Sequence, residues 1–426
     1  MTPATDADVD PRYFLGLPLR RVRRTLTSFN PFEPGYTDNP YPHFAELRAN
    51  NPVEQNELGF WALWRYADAA EVLRAKHSVQ DDKVMHAGPM ADVWEKAYAE
   101  RGIEAGVVSM LDLDPPDHTR LRKLVSKAFT PRTIEALTPS VEKLVQDALD
   151  AIEAAGSVNL IDALAFPLPF TVISLMLGMP ETDTDRLRDL SGTVVRSLEP
   201  VPDEATVGAI VDASIGLREL AFDAIAWKRE NPADDLLTAL SNAEDGGDVL
   251  SEEELIAQVI LLYVAGHETT VNLIGNGTLA LLRDPEQMAL WRDRPDLDEN
   301  AIEELLRFDS PVQMSRRVTI EDYPVDGTVI PKGSFVIASL ASANHDEAQF
   351  GPDAEKLRLD RANARQQISF GAGVHHCLGA ALARLEGRVA VSQLIRRFPE
   401  LHLDGEPEWN GRINLRGLSQ LPVATR

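Results

Sequence analysis

Between Ser251 and Pro285 the chain carries one unbroken helical pattern. Ser251-Glu252-Glu253-Glu254 has the form of a capping box, in which the serine hydroxyl and the glutamate three residues on satisfy the first turn reciprocally. The stop signal is Asp284-Pro285. A helix of that extent is roughly 45 Å long, enough to cross a whole molecule of this size. Its middle breaks the pattern. Leu261-Leu262-Tyr263-Val264 is strongly apolar, yet Ala265-Gly266-His267-Glu268-Thr269-Thr270 puts a glycine, an acid and two hydroxyls at the centre. Glycine there costs about 1 kcal/mol against alanine, and polar groups need partners if buried. A solvent-facing stripe with a mild kink accounts poorly for Glu268 and Thr269, because apolar residues flank them on both sides.

Helical periodicity also covers residues 133–155, 165–177, 183–198 and 205–228, with Pro200 and Pro202 punctuating the last pair. Upstream, Asn39-Pro40-Tyr41-Pro42 leads into a helical run from Phe44 to Ala49, Phe60 to Trp64 reads as a strand, and Asp68 to Ala75 as another short helix. Periodicity lapses from Lys76 to Ser109, and so long an irregular stretch reads as a functional loop or lid. Next, Asp114-Pro115-Pro116-Asp117 sets a turn into a basic helix on which His118 and Arg122, one turn apart, share a face. Strand-like alternation follows Pro311 as far as Leu340. Near the C-terminus stands Phe370-Gly371-Ala372-Gly373-Val374-His375-His376-Cys377-Leu378-Gly379-Ala380, and from Leu378 the pattern turns alanine-rich and helical. Cys377 therefore sits at or just before a helix N-terminus, where loop NH groups and the helix dipole favour a thiolate.

The chain has 426 residues, a length that by itself suggests two or three domains. Its 42 basic and 67 acidic residues give a net charge of −25, which argues against nucleic-acid or anionic-membrane binding. Cys377 is the only cysteine, so no internal disulfide forms. The polar N-terminus has neither the basic start nor the apolar run of a signal peptide, and no stretch reaches the roughly 20 apolar residues of a membrane anchor. Arg20 to Arg24 read as a solvated basic cluster.

A lone cysteine is by default an inert buried side chain. A zinc site from His375, His376 and Cys377 is a weak competitor, lacking a second ligand pair at tetrahedral spacing. Covalently attached haem needs a second cysteine. The pattern Phe-x-x-Gly-x-His-x-Cys-x-Gly, however, resembles the haem-binding loop of the cytochrome P450 superfamily, of the soluble bacterial type. Three further motifs in order strengthen the resemblance: His118-x-x-x-Arg122, Ala265-Gly-x-Glu-Thr-Thr270 and Glu304-x-x-Arg307.

The resemblance implies a mainly α fold with a minor β portion, a single triangular domain enclosing haem b, with residues 1–30 as a flexible tail and 31–426 as the catalytic domain. It makes Cys377 the iron ligand, with Phe370 beside the sulfur and Gly379 in the loop. His118, Arg122, Arg317 and His375 face the haem propionates, with Arg316 as runner-up to Arg317. Ala265 and Gly266 let the long helix lie against the haem, Thr269 hydrogen-bonds the oxygen being activated, and Glu268 helps relay protons. Glu304 and Arg307 form a buried structural pair, with Arg358 or Arg361 as its third member. The substrate pocket would draw on Val84, His86, Leu261, Val264, Val312, Met314 and Leu418, with Met90 beside them.

The implied activity is a haem-thiolate monooxygenase, inserting one atom of O2 into a lipophilic small molecule by hydroxylation or epoxidation. No Gly-x-Gly-x-x-Gly segment for flavin or nicotinamide occurs, so electrons come from NAD(P)H through ferredoxin and ferredoxin reductase. Arg120, Lys123, Lys127 and Arg384 are the candidate docking patch for that acidic partner. A cytoplasmic monomer is expected. A thiolate-haem sensor and a peroxide-driven peroxygenase are the rival readings, both disfavoured by the Glu268-Thr269 pair.

Overall fold

The structure, a computed structural model, describes residues 28–80, 89–102, 109–127, 129–180, 184–200, 203–245 and 247–426. Residues 1–27 of the expected 1–30 tail, with the Arg20 to Arg24 cluster, and the pocket candidates Val84 and His86 lie outside them. Helices dominate, and the long one runs Glu252–Arg283 with both halves of the capping box formed. It packs against helices Pro167–Leu177, Ala380–Arg397, Asp298–Phe308 and Glu204–Glu230, so it is the axis of the main core. The two helices approach closely: a Cβ on Gly387 would stand 2.8 Å from Leu273 Cδ2, so a larger residue there would make that leucine side chain move.

The β portion is small. Four strands pair in the order Val53–Gln55, Trp61–Leu63, Phe335–Ser339, Met314–Val318, the middle two parallel and the outer pairings antiparallel. A three-stranded sheet joins His402–Leu403, Pro422–Ala424 and Ser157–Asn159. Among the described residues no helix is long and apolar enough to cross a membrane.

Two expectations need correction. The stretch from Lys76 to Ser109 is not wholly irregular, for Pro89–Glu100 is a helix. Val93, Trp94, Ala97 and Tyr98 supply an i, i+4 stripe that packs on Val207 and Val211 of helix Glu204–Glu230. A stripe of four apolar positions is too short to stand out in the sequence. The tail boundary also moves: Phe29 is buried with its ring 5.0 Å from that of Trp64, so the ordered body begins before residue 31.

Candidate haem site

The cysteine loop is closed by its own backbone. Cys377 NH donates to the Phe370 carbonyl at 2.9 Å, around a 3-10 turn at Gly373–His375. Gly373 has φ +74°, and a Cβ on it would stand 2.4 Å from the Leu73 carbonyl oxygen, so no other residue fits. Helix Ala380–Arg397 then starts with Gly379 as its N-cap. Cys377 is exposed by surface area, yet burial is the chief influence on its thiol and pushes its pKa up. Both hold for a sulfur that faces a hollow enclosed by protein. The Gly379 NH, then the guanidinium groups of Arg122 and Arg384, pull the other way and favour thiolate. Arg384 stacks over the Phe370 ring, 4.5 Å from its centroid, and donates from Nε to Glu303 Oε1 at 2.7 Å.

The central helix carries the second group of expected site residues. Leu262, Tyr263, Val264, His267 and Thr270 are buried, whereas Ala265 between them is exposed and Thr269 half-buried. Exposure in the middle of an enclosed helix again marks a hollow. Thr269 Oγ1 donates to the Ala265 carbonyl at 3.1 Å, so the hydroxyl proton is engaged and its lone pairs remain to accept. Gly266 does not face the hollow with Ala265: a Cβ there would stand 3.3 Å from Ile173 Cδ1, so its small size serves the packing of helix Pro167–Leu177. Glu268 accepts from Arg412 Nη1 through Oε1, while Oε2 lies 3.9 Å from His267 Nε2. Burial lowers the pKa of His267, which holds Nδ1 at 3.1 Å from the Tyr263 carbonyl and is neutral.

At one end of the hollow, basic groups gather. His118 is buried with both ring nitrogens unpartnered, its ring 4.2 Å from that of His375. Arg317 is 3 % exposed and donates only to oxygens of Leu73, Arg316 and Ser315. Among the described residues it has no ion pair, and burial lowers its pKa to about 10. Burial, then the nearby His118 and Arg317, lower His375 to about 4. Arg316 is instead paired with Asp112 at 3.0 Å. Arg122 donates from Nη2 to the His376 carbonyl at 2.6 Å and so braces the loop. A buried arginine with no ion pair among the described residues, beside His118 with both ring nitrogens unpartnered and His375 with its pKa depressed, is the lining expected for an anionic ligand. Haem, with a metal for the Cys377 sulfur and two propionates for this cluster, fits it.

Other expected residues fall into place around this site. Glu304 and Arg307 are fully buried and bidentate, at 2.7 and 2.8 Å. Their third member is Arg361, whose Nε donates to Glu304 at 3.1 Å; Arg358 contributes only its backbone NH, its side chain turning to Asp353 and Asp360. Leu261, Val264 and Val312 border the main core. Met314 packs instead in an aromatic cluster with Phe29, Phe44 and Trp64, so the structure does not bring it to the pocket wall. Leu418 is buried in the main core, in line with Gly275 of the central helix. The sequence reading missed Arg412 and Glu303 as partners of Glu268 and Arg384, which lie 144 and 81 residues away along the chain.

Comparisons with known proteins agree with this site. The sequence profile of the family described as Cytochrome P450 matches residues 291–420. Cytochrome P450 107B1 of Saccharopolyspora erythraea is 41 % identical over 405 residues, spanning 92 % of this chain and 96 % of the relative. Cytochrome P450 monooxygenase PikC of Streptomyces venezuelae is 39 % identical, spanning 92 % of each chain. Among solved structures, P450BioI in complex with acyl carrier protein ligated to hexadec-9Z-enoic acid is similar, with a TM-score of 0.83 and 31 % identity over 92 % of this chain and 99 % of that one. With a thiol on a glycine loop, a central helix exposed at Ala265, a cluster of basic groups, and relatives of this extent, the chain belongs to the cytochrome P450 family: it is an oxidoreductase, a haem b monooxygenase with the fold of the bacterial members.

Proposed function

We propose that the protein uses molecular oxygen to hydroxylate or epoxidise a lipophilic small molecule, with electrons delivered by a ferredoxin and its reductase in the cytoplasm. The observation that carries this reading is the acid and alcohol at the break in the central helix, Glu268 held by Arg412 and Thr269 bonded to the Ala265 carbonyl, which a sensor or a peroxide-driven enzyme does not need. Haem b, when bound, supplies the centre at which dioxygen is reduced and one oxygen atom is passed to the substrate. Cys377 is its ligand as thiolate, favoured by the Gly379 NH and by Arg122 and Arg384. His118, His375 and Arg317 hold the propionates, which relieves the desolvated Arg317.

Thr269 keeps its proton on the Ala265 carbonyl and presents lone pairs to the hollow, so it accepts a hydrogen bond and orients a proton-bearing group there. Glu268 is the acid that takes protons from the Arg412 side and passes them inward. Leu261, Val264 and Val312 are the proposed apolar lining of a substrate pocket. The expected docking patch contracts, because Arg120 pairs with Asp248 and Glu254 and Arg384 with Glu303. Lys123 and Lys127, the latter donating from Nζ to the Glu244 carbonyl, are the other members of the proposed contact with ferredoxin.

The test is the optical spectrum of the reduced protein under carbon monoxide, for the wild type and Cys377→Ser. Wild type should give the thiolate-haem band that names the family, and the variant should lose it. Thr269→Ala should divert reducing equivalents to hydrogen peroxide; unchanged product per oxygen consumed in that variant would overturn the oxygen-driven reading in favour of a peroxygenase.

A further inference from the structure

Helix Asp117–Ser126 presents two faces of different character. His118 and Arg122 belong to the haem site, the first through its contact with the His375 ring and the second through its bond to the His376 carbonyl. Counted from His118 at about 100° per residue, Arg120, Lys123 and Lys127 fall on the opposite side of the helix. One basic row therefore runs along its outer face, over roughly two turns. A partner docked on that row is one helix diameter, about 10 Å, from the haem site.

A short hairpin lies along the row. It pairs Glu244–Asp245 with Asp248–Val249, and its first strand packs on the helix. At one end Asp248 Oδ1 accepts from Arg120 Nη1 at 3.3 Å, while Glu254 takes Arg120 Nη2; at the other the Glu244 carbonyl accepts from Lys127 Nζ. Lys123, between them in the row, is exposed. The ends of the hairpin are anchored, since Leu240 is buried and Leu250 packs on the main core. Its body is not. The ladder has two paired positions, turns at Gly247 with φ +94°, and leaves Glu244 and Val249 exposed. So short a hairpin is marginal by itself and depends on its contacts with the helix. Ion pairs this open to water contribute little, so another carboxylate can replace Asp248 on Arg120 at small cost.

We infer that hairpin 244–249 is a built-in competitor on the docking surface: it occupies both ends of the basic row, and an acidic iron–sulfur protein docks by displacing Asp248 from Arg120 and the Glu244 carbonyl from Lys127. This rests on the reading of a ferredoxin as the electron donor. The hairpin offers the helix the same oxygen acceptors that such a partner offers, at the high effective concentration of a tethered group. Helix and hairpin together then select the partner. A protein whose carboxylates reach Arg120 and Lys127 as well as Lys123 displaces the hairpin, and one that reaches Lys123 alone does not.

The test uses the haem-loaded full chain, each variant checked for its carbon monoxide band, and a plant-type [2Fe–2S] ferredoxin as probe, titrated by calorimetry at low and at high salt. Asp248→Asn removes the competing carboxylate, and exchange of residues 244–249 for glycine and serine of equal length removes the whole competitor. Both should bind the probe about twofold to fivefold more tightly at low salt, the range that exposed ion pairs contribute. The gain should fade at high salt. Glu57→Gln, which removes the same charge from an exposed turn before strand Trp61–Leu63, should bind as the wild type does. Equal or weaker binding by Asp248→Asn, or an equal gain in Glu57→Gln, would overturn the competitor while leaving the ferredoxin reading intact. Lys123→Glu should weaken binding severalfold. If no chain binds the probe in a salt-dependent way and Lys123→Glu keeps full ferredoxin-supported turnover, the ferredoxin contact falls and the competitor with it.

Discussion

Replacing Glu304 by glutamine tests the scaffold behind the cysteine loop. The carboxylate is fully buried and receives four donors: Arg307 Nε and Nη2 at 2.7 and 2.8 Å, Arg361 Nε at 3.1 Å and the Arg358 backbone NH at 2.9 Å. Arg307 goes on to hold the carbonyls of Asn344, Ala354 and Lys356. Asn344 in turn accepts from Ile368 NH at 2.9 Å and donates to Ser369 Oγ at 2.8 Å, directly ahead of Phe370. Glutamine keeps the shape but removes the charge and aims an NH2 at donors. The buried Arg307 guanidinium then lacks its counter-ion and Arg361 keeps only Asp353 at 3.0 Å, a loss of about 3–5 kcal/mol by analogy with broken buried pairs. That is a large share of the roughly 5–15 kcal/mol that holds a domain folded. Urea denaturation followed by circular dichroism and by haem absorbance should show a lower midpoint with unchanged slope, and haem should leave the variant faster. A change below about 1 kcal/mol would refute the argument that these three side chains act as one buried network.

Arg317→Met should have opposite effects with and without haem: removing an unpaired buried cation stabilises the haem-free chain by about 1 kcal/mol or more, while haem is retained less well, as read by thermal melting and by transfer of haem to apomyoglobin. Glu386 is buried, with Oε2 unpartnered and burial as the cause of a pKa raised well above 4.5. The folded state therefore keeps a proton that the unfolded chain loses, and stability falls as pH rises above that unfolded value, by at most about 1.4 kcal/mol per pH unit. Glu386→Gln should flatten that slope in melts taken between acid and mildly alkaline pH. Gly373→Ala forces a Cβ against the Leu73 carbonyl at a positive φ, and should lower haem retention while far-ultraviolet circular dichroism stays native.

The local patterns carried far. The capping box at Ser251, the glycines of the cysteine loop and the helix following Cys377 were legible because each depends on contacts within a few residues. The helix Pro89–Glu100 was lost because its apolar stripe is short, and most of its support comes from a helix more than a hundred residues later. Met314 and Gly266 read as site residues by their place in motifs, but a strand sends alternate side chains to opposite faces, and a helix turns about 100° per residue, so neighbours in a motif face different surroundings.

What the sequence by itself determined is the chemistry: one thiol on a glycine loop, an acid and an alcohol in the middle of an apolar helix, and basic residues at set distances before it. Short-range geometry is enough for that, since turns, caps and helix faces follow from adjacent residues. Only the tertiary structure decided which charges meet. Arg361 rather than Arg358 closes the Glu304 network, Arg317 rather than Arg316 stays without a carboxylate, and Arg412 and Glu199 come together around a turn near the C-terminus. A buried charge takes whatever partner packing brings within hydrogen-bond reach, and that choice is made by the whole fold rather than by spacing along the chain.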